Sequence, residues 1–526
     1  MRFGRRLKTL TRAGYIPAAA SLRLVQPFLL ILWVAMGAFP AWAQTATPDP
    51  CTSGHEFATT DCALSWHGIT LYGAYDVGIG YVSHGLPLNG YNYEGESLVN
   101  RNGYQHRFLV APNNLSQTGL GIRGKEEFLP GWSVVFNASA GINPQSGLLA
   151  NASKTDIINN GLPRSSYSIA IDGARAGQPF NDEFYAGVSS TNFGTLTFGR
   201  QRALGTDAML LYDPAGGSYA FSYIGYNGTM AGGGDTENSR WDDALKYRLV
   251  YGPVHFGAMY KFADGSGGCY SASAGWTNTT CTPESAHNNA YGFDLGGKAR
   301  EFSADVVFQH YNQAISVLNP LLGPQSQAAP YQSTTDSINT NQITGTNLID
   351  PNDTVYGIVT DNNAVMVAAK YASEGFKVFA GYEYIWQNNP SRPLGVGASD
   401  QGGYFMSGVE DDNLDSEKLV NIWWTGAKYT YRSKTDFTFA WYQQRQNDFR
   451  VPPTCTPASF RASCAGTLNE GSLYVDHHFT KRFDGFVGIA YSYVHGGLAI
   501  AIPHGPGVPY NSNNNFAPAI GGRFTF

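Results

Sequence analysis

From about residue 69 to the last residue, 526, the chain repeats one pattern: short segments in which apolar and polar side chains alternate with a period of two. In 376–387, Phe376, Val378, Ala380, Tyr382, Tyr384 and Trp386 share one face, while Lys377 and Glu383 share the other. In 244–251, Leu245, Tyr247, Leu249 and Tyr251 lie opposite Lys246 and Arg248. Such strands suit a sheet with lipid on one side and water on the other. A lysine or arginine facing lipid at mid-membrane costs about 2–4 kcal/mol, so the charges must point to a wet lumen. Hydrocarbon offers no hydrogen-bond partner to an open edge, so the sheet must close. The last segment, 519–526 (AIGGRFTF), alternates as well and is expected to pair with the first strand. The expected fold is all-β: a transmembrane antiparallel β-barrel of about 16 strands, with short turns at one end and long loops at the other.

The segments that carry this pattern are 69–81, 118–126, 132–142, 182–190, 193–201, 243–251, 254–263, 288–296, 301–312, 364–371, 376–387, 417–431, 436–446, 467–480, 483–495 and 514–526. Ahead of them, Arg2, Arg5, Arg6, Lys8, Arg12 and Arg23 precede the apolar run 24–39, and Ala41-Trp42-Ala43 fits a small-x-small cleavage site. This is the form of a secretory signal, residues 1–43, rather than of a membrane helix. Residues 44–65 are expected as a periplasmic extension, either a tether or a small clipped plug, and 66–526 as the barrel. Removing the signal leaves 28 basic against 40 acidic residues, a net charge near −12. That balance argues against a nucleic-acid partner. Gly 62, Tyr 32 and Phe 30 fit aromatic membrane strands and loose loops. The six cysteines fall into close pairs, Cys51/Cys62, Cys269/Cys281 and Cys455/Cys464. In an oxidising compartment three local disulfides are the simplest reading; metal binding is the alternative, but no pair has CxxC spacing.

Several segments resemble the general porins of Gram-negative outer membranes, especially those of beta-proteobacteria. Thr70-Leu71-Tyr72-Gly73-Ala74-Tyr75-Asp76-Val77-Gly78 is similar to that family's opening strand, and Gly119 to Glu127 (GLGIRGKEE) to its second. Phe193 to Gln201 (FGTLTFGRQ) resembles the strand before the inward-folded loop, and Arg523-Phe524-Thr525-Phe526 the closing strand. The resemblance implies a homotrimer of 16-stranded barrels in outer-membrane lipid and lipopolysaccharide. Each barrel is then a water-filled path for small hydrophilic solutes, narrowed by its third long loop. It further implies a constriction in which wall bases oppose loop acids. By position the wall bases are Arg200, Arg240, Lys246 and Arg248, and the loop 202–241 offers Asp207, Asp213, Asp235 and Glu237. Strict alternation puts Arg200 in phase with the outward Phe198, so it reaches the lumen only if the strand ends or bends there. The family's Pro-Glu-Phe element is missing, and Asp213-Pro214-Ala215-Gly216-Gly217 stands nearby. Ala74, Gly119 and Asp182 occupy positions where the family often has a base, which implies a neutral-to-cation preference. Arg123 and Lys125 read as lumen residues near the short turn, either solvated rim charges or part of the selectivity.

Other signals carry little. His477 and His478 are adjacent on a strand and point to opposite faces. His55-Glu56 lacks a second His at HExxH spacing, and no GxSxG occurs. No enzyme, cofactor or metal is expected. A substrate-selective channel for sugars or aromatic acids is the competing function; an adhesive role for the loops is a further one.

Overall fold

The computed structural model describes residues 50–85, 105–142, 144, 147, 179–226, 240–263, 269–271, 275–277, 289–312, 316–318, 356–358, 361–388, 416–449, 465–496 and 514–526. The first described elements are helix α1 (Gly54–Thr59) and strand β1 (Leu64–Trp66). Then come β2 (Ile69–Gly85), β3 (Gln105–Pro112), β4 (Gly119–Leu129), β5 (Trp132–Gly141), β6 (Glu183–Ser190) and β7 (Gly194–Arg202). Helices α2 (Leu204–Tyr212) and α3 (Tyr223–Tyr226) lie in the next loop. There follow β8 (Arg240–Tyr251), β9 (Val254–Lys261), β10 (Cys269–Ser271), β11 (Gly275–Thr277), β12 (Ala290–Ala299), β13 (Phe302–Tyr311), β14 (Ser316–Leu318) and β15 (Tyr356–Ile358). The rest are β16 (Asp361–Ser373), β17 (Phe376–Asn388), β18 (Lys418–Tyr431), β19 (Thr435–Gln446), β20 (Gly466–His478), β21 (Phe483–Gly496) and β22 (Asn514–Thr525).

The main sheet holds 18 strands. Strand β1 is a flap folded back on the start of β2, and β3 and β4 share one place beside it, which leaves a closed antiparallel ring of 16. Two small ladders, β10–β11 and β14–β15, stand outside the ring. Strand β3 is absent from the sequence reading. It pairs only with the upper half of β2 (Val77–Gly85), while β4 takes the lower half (Ile69–Ala74). Between them the chain leaves the ladder at Asn113, whose φ is +57°. The Asp76 carboxylate accepts the freed N–H groups of Asn114, Leu115 and Ser116 at 3.0, 2.7 and 2.9 Å. A buried carboxylate thus replaces the lost ladder bonds.

The alternation holds around the ring. Phe184, Phe198, Phe293, Phe439, Leu473 and Ile520 are exposed on the outer wall, whereas Asp294, Asp305, Glu383 and Glu470 are buried on the inner one. Closure runs through β2 and β22, with Tyr75 opposite Phe524 and Ile79 opposite Ile520. Two further bonds join Gly73 and Phe526, N–H to carbonyl in both directions, at 2.9 and 3.0 Å. Gly73 is required there, because a Cβ would lie 2.5 Å from the Gly119 carbonyl oxygen and 2.6 Å from the Phe526 ring.

Residues 50–66 form a disulfide-clipped cap. Cys51 and Cys62 are disulfide-bonded, and α1 between them is capped by Ser53, which accepts the Glu56 N–H at 3.2 Å. Arg482, in the turn between β20 and β21 and 6% exposed, holds the cap. Its guanidinium donates to the carbonyls of Phe57 and Cys62 and lies 4.0 Å from the Phe57 ring centroid. Phe57 in turn packs edge-on to Phe524, at 6.2 Å between centroids. The side chain of Cys269, and Cys281, Cys455 and Cys464, lie outside the described residues, as do Asp235, Glu237 and most of 313–363. Replacing Arg482 by Ala should release the cap. Limited proteolysis would then cut within 50–64 while the heat-resistant gel mobility of the barrel stays unchanged; equal resistance in both proteins would show that Arg482 does not hold it.

Candidate functional site

The loop after β7 folds into the barrel and runs along its inner wall. It is apolar where it meets that wall. Leu204, Ala208, Met209 and Tyr212 of α2, with Phe221 and Ile224, are all 3% exposed or less. The α2 residues and Ile224 pack with Met259, Val307, Met366, Ile422 and Trp424, and Phe221 with Tyr474 and Phe486; alternation alone would leave these inward-facing residues in water. Burying a side chain of this size contributes about 1.5–3 kcal/mol, so four of them outweigh an ion-pair cluster, much of whose attraction is offset by desolvation. Apolar contact therefore supplies the adhesion, and polar contacts set the position.

Those polar contacts recur from Gly205 to Phe221. Gly205 N–H donates to Gln309 Oε1 at 2.6 Å. The Tyr212 hydroxyl donates to Asp305 at 2.8 Å, and the Tyr212 carbonyl accepts from Trp424 Nε1 at 3.1 Å. Lys370 Nζ donates to the Leu211 carbonyl at 3.1 Å. Ser218 donates to the carbonyl of Asn114, in the break between β3 and β4, and Ser472 to that of Phe221. The loop thus crosses from β8 past β13, β18 and β20 to β3, as a belt around more than half the ring.

The sequence-predicted site residues divide among three clusters. Asp207, in the first turn of α2, is shared by Lys246 (2.5 Å) and Arg248. Burial alone would raise its carboxyl; Lys246 and Arg248 overcome that and hold it below the ordinary aspartate value. Asp182 takes Arg240 at 2.6 Å and Arg202 at 3.3 Å. Arg200 belongs to neither cluster. The ladder between β7 and β8 slips at Gly199/Gln201, with φ +128° at Gly199 and +48° at Asp243. At the bend Arg200 is 5% exposed, pairs with Asp242 at 2.7 Å and donates to the Asn181 carbonyl. Among the described acids its partner is Asp242, on β8.

Asp213 does not face the passage either. It is 2% exposed and accepts from Tyr442 at 2.5 Å and from the Gly217 N–H at 2.6 Å, so it anchors the belt's turn. Burial pushes its carboxyl up, against those hydrogen bonds. Among the described loop acids, Asp207 is the one that touches wall bases, Lys246 and Arg248. Ala74 and Gly119 pair with each other on the inner face of β2 and β4. Arg123 lies over the Tyr72 ring at 5.2 Å, and Lys125 is exposed. Glu183, Tyr185 and Arg202, absent from the predicted set, stand on the wall the belt leaves uncovered. Glu183 accepts from Asn137 at 3.1 Å and from the Arg202 N–H at 3.2 Å. Their period with Gly187 and Ser189 on β6 was a usable signal for the two β6 residues; Arg202 was hidden by the slip at Gly199.

The fold is thus a closed ring of 16 strands, apolar outside, with its third long loop against the inner wall. The chain belongs to the Gram-negative porin family. The family match covers residues 31–496. An outer membrane porin protein of Bordetella pertussis is 25% identical over 197 residues, 37% of this chain and 43% of that relative, so the match spans less than half of the relative's length. The anion-selective porin from Comamonas acidovorans superposes with a TM-score of 0.53 over 87% of this chain and 99% of that one. At 14% identity that likeness is one of fold. The family and the relative place this porin in the outer membrane.

Asp207→Asn removes the carboxylate that Lys246 and Arg248 share. Breaking such a partly buried pair costs about 3 kcal/mol, and the belt should loosen. Single-channel records of the variant are expected to show larger open-state fluctuations, reduced again in Asp207→Asn/Lys246→Met. A trace as quiet as wild type would remove the ion pairs from the account of the belt's seating.

Proposed function

We propose that this porin is a passive diffusion channel: small hydrophilic solutes and ions pass down their gradients through each barrel, with no chemistry and no energy input. The observation that carries the reading is the belt within a closed barrel: it covers the apolar part of the inner wall and narrows the path that remains. Family and fold point to a channel rather than an enzyme. Outer-membrane lipid and lipopolysaccharide surround the barrel in this reading, and a homotrimer follows from the family resemblance. A threefold ring of apolar outer walls is physically reasonable, since it closes on itself.

The charge balance supports a neutral-to-cation preference. Every base of the predicted wall has an acid against it: Arg240 has Asp182, Lys246 and Arg248 have Asp207, and Arg200 has Asp242. Glu183 adds a further acid beside Arg202. A narrow throat with excess acid lowers the barrier for cations and raises it for anions. The Comamonas protein is anion-selective by its name, so the two would differ in sign despite a common fold.

A substrate-selective channel remains the second reading, because Tyr72 and Tyr185 keep part of their rings open to the lumen, and Leu210 and Leu211 of α2 are exposed. It is the weaker one. Most inward aromatics, among them Trp424, Tyr442 and Tyr474, are covered by the belt and offer no continuous track. Reversal potential in a planar bilayer under a KCl gradient separates these readings. Stepwise conductance with a cation-selective potential is expected, little changed by sugars or aromatic acids. An anion-selective potential would overturn the charge reading, and saturable block by one solute class would favour the second.

A further inference from the structure

Beneath the belt, three strands bring together side chains that the diffusion reading does not use. His255 on β9 and Asp305 on β13 are not neighbours, since β12 runs between them, and they meet only because Gly296 stands at the crossing. A Cβ on Gly296 would lie 1.9 Å from Asp305 Oδ1 and 2.5 Å from His255 Nε2. In the register, Gly296 is opposite both residues. His255 Nε2 is 3.2 Å from Asp305 Oδ1 and 3.7 Å from Asp294 Oδ2, and the three ligand atoms lie within 4.8 Å of one another.

The spacing fits a metal. A tetrahedral ion about 2.0–2.2 Å from each imidazole nitrogen or carboxylate oxygen holds its ligand atoms roughly 3.4 Å apart. The separations of 3.2 and 3.7 Å bracket that distance. A second observation points the same way. Asp294 is 3% exposed, yet its Oδ1 has no hydrogen-bond partner, and its Oδ2 comes only to 3.7 Å from His255 and from Arg248 Nη1. A buried carboxylate without a hydrogen bond is costly, and a cation supplies what is missing.

We propose that His255, Asp294 and Asp305 form a binding site for a divalent transition-metal ion of the zinc type. One imidazole and two carboxylates favour such an ion over Mg²⁺, which takes oxygen ligands and keeps its waters. The site also touches the belt at two points. Tyr212 donates to Asp305, and Arg248 bridges Asp294 and Asp207. A bound ion satisfies Asp294, leaves Arg248 to Asp207, and so fixes the belt on the wall. The proposal does not rest on the solute reading, because binding by the folded barrel needs no conduction.

The test uses untagged, refolded full-length protein titrated with ZnCl₂ by calorimetry, with excess MgCl₂ present, and heat-resistant gel mobility as the check on folding. One saturable site is expected. Asp294→Asn, which keeps the side chain's shape, and His255→Ala should each weaken it at least about tenfold. His478→Ala, which alters the other His/Asp cluster (Asp476, His478, Asp484), should leave it unchanged. Absence of saturable binding to wild type, undiminished binding by Asp294→Asn and His255→Ala, or loss only in His478→Ala would each overturn the proposal.

Discussion

Hydrocarbon cannot hydrogen-bond a peptide group, and the architecture of this chain depends on that fact. Each N–H and C=O in a lipid-facing strand must find its partner on the next strand, so the first and last strands must meet. They do so between β2 and β22, where glycines allow close approach: Gly73 makes room for Phe526, and a Cβ on Gly78 would lie 2.5 Å from the Ile520 carbonyl oxygen. The disulfide-clipped cap bears on the same seam, held by Arg482 from the last turn and by Phe57 against Phe524. Closure in turn fixes every residue's face. A slip of one position would turn Lys246 and Arg248 into lipid.

Once faces are fixed, the lumen has its own conflict. Much of its wall between β12 and β20 is apolar, with Val307, Met366, Ile422 and Trp424 facing inward. Water would not favour that surface. The belt resolves the conflict by covering it with Leu204, Met209 and Tyr212, and the polar groups at its margin locate it. The same covering makes the passage narrow. Adhesion of the loop and restriction of the pore are thus one physical event.

Much of the barrel was legible in the sequence because lipid enforces alternation. The 16 positions, the faces of Lys246, Arg248 and Glu383, and the inward fold of the third long loop all follow from it or from the family resemblance. What escaped was whatever breaks alternation. The interruption at Asn113 hid β3, since the compensating bonds come from Asp76, far away in the chain. The slip at Gly199 left Arg200 ambiguous and Arg202 unseen. Asp213 reads as a loop acid, and nothing local announces that Tyr442, 229 residues on, will bury it. The inward apolar residues of β13, β16 and β18 carry no mark in one sequence that distinguishes them from lipid-facing ones.

The central claim is that the belt, seated on an apolar wall, is the constriction. Single-channel conductance tests it most directly, comparing wild type with a variant whose residues 204–225 are replaced by a short Gly-Ser linker, after both are shown to be folded by heat-resistant gel mobility. The account predicts a conductance several-fold higher and selectivity reduced towards that of bulk solution. A folded variant with unchanged conductance and selectivity would contradict it, and would place the narrowing elsewhere in the barrel.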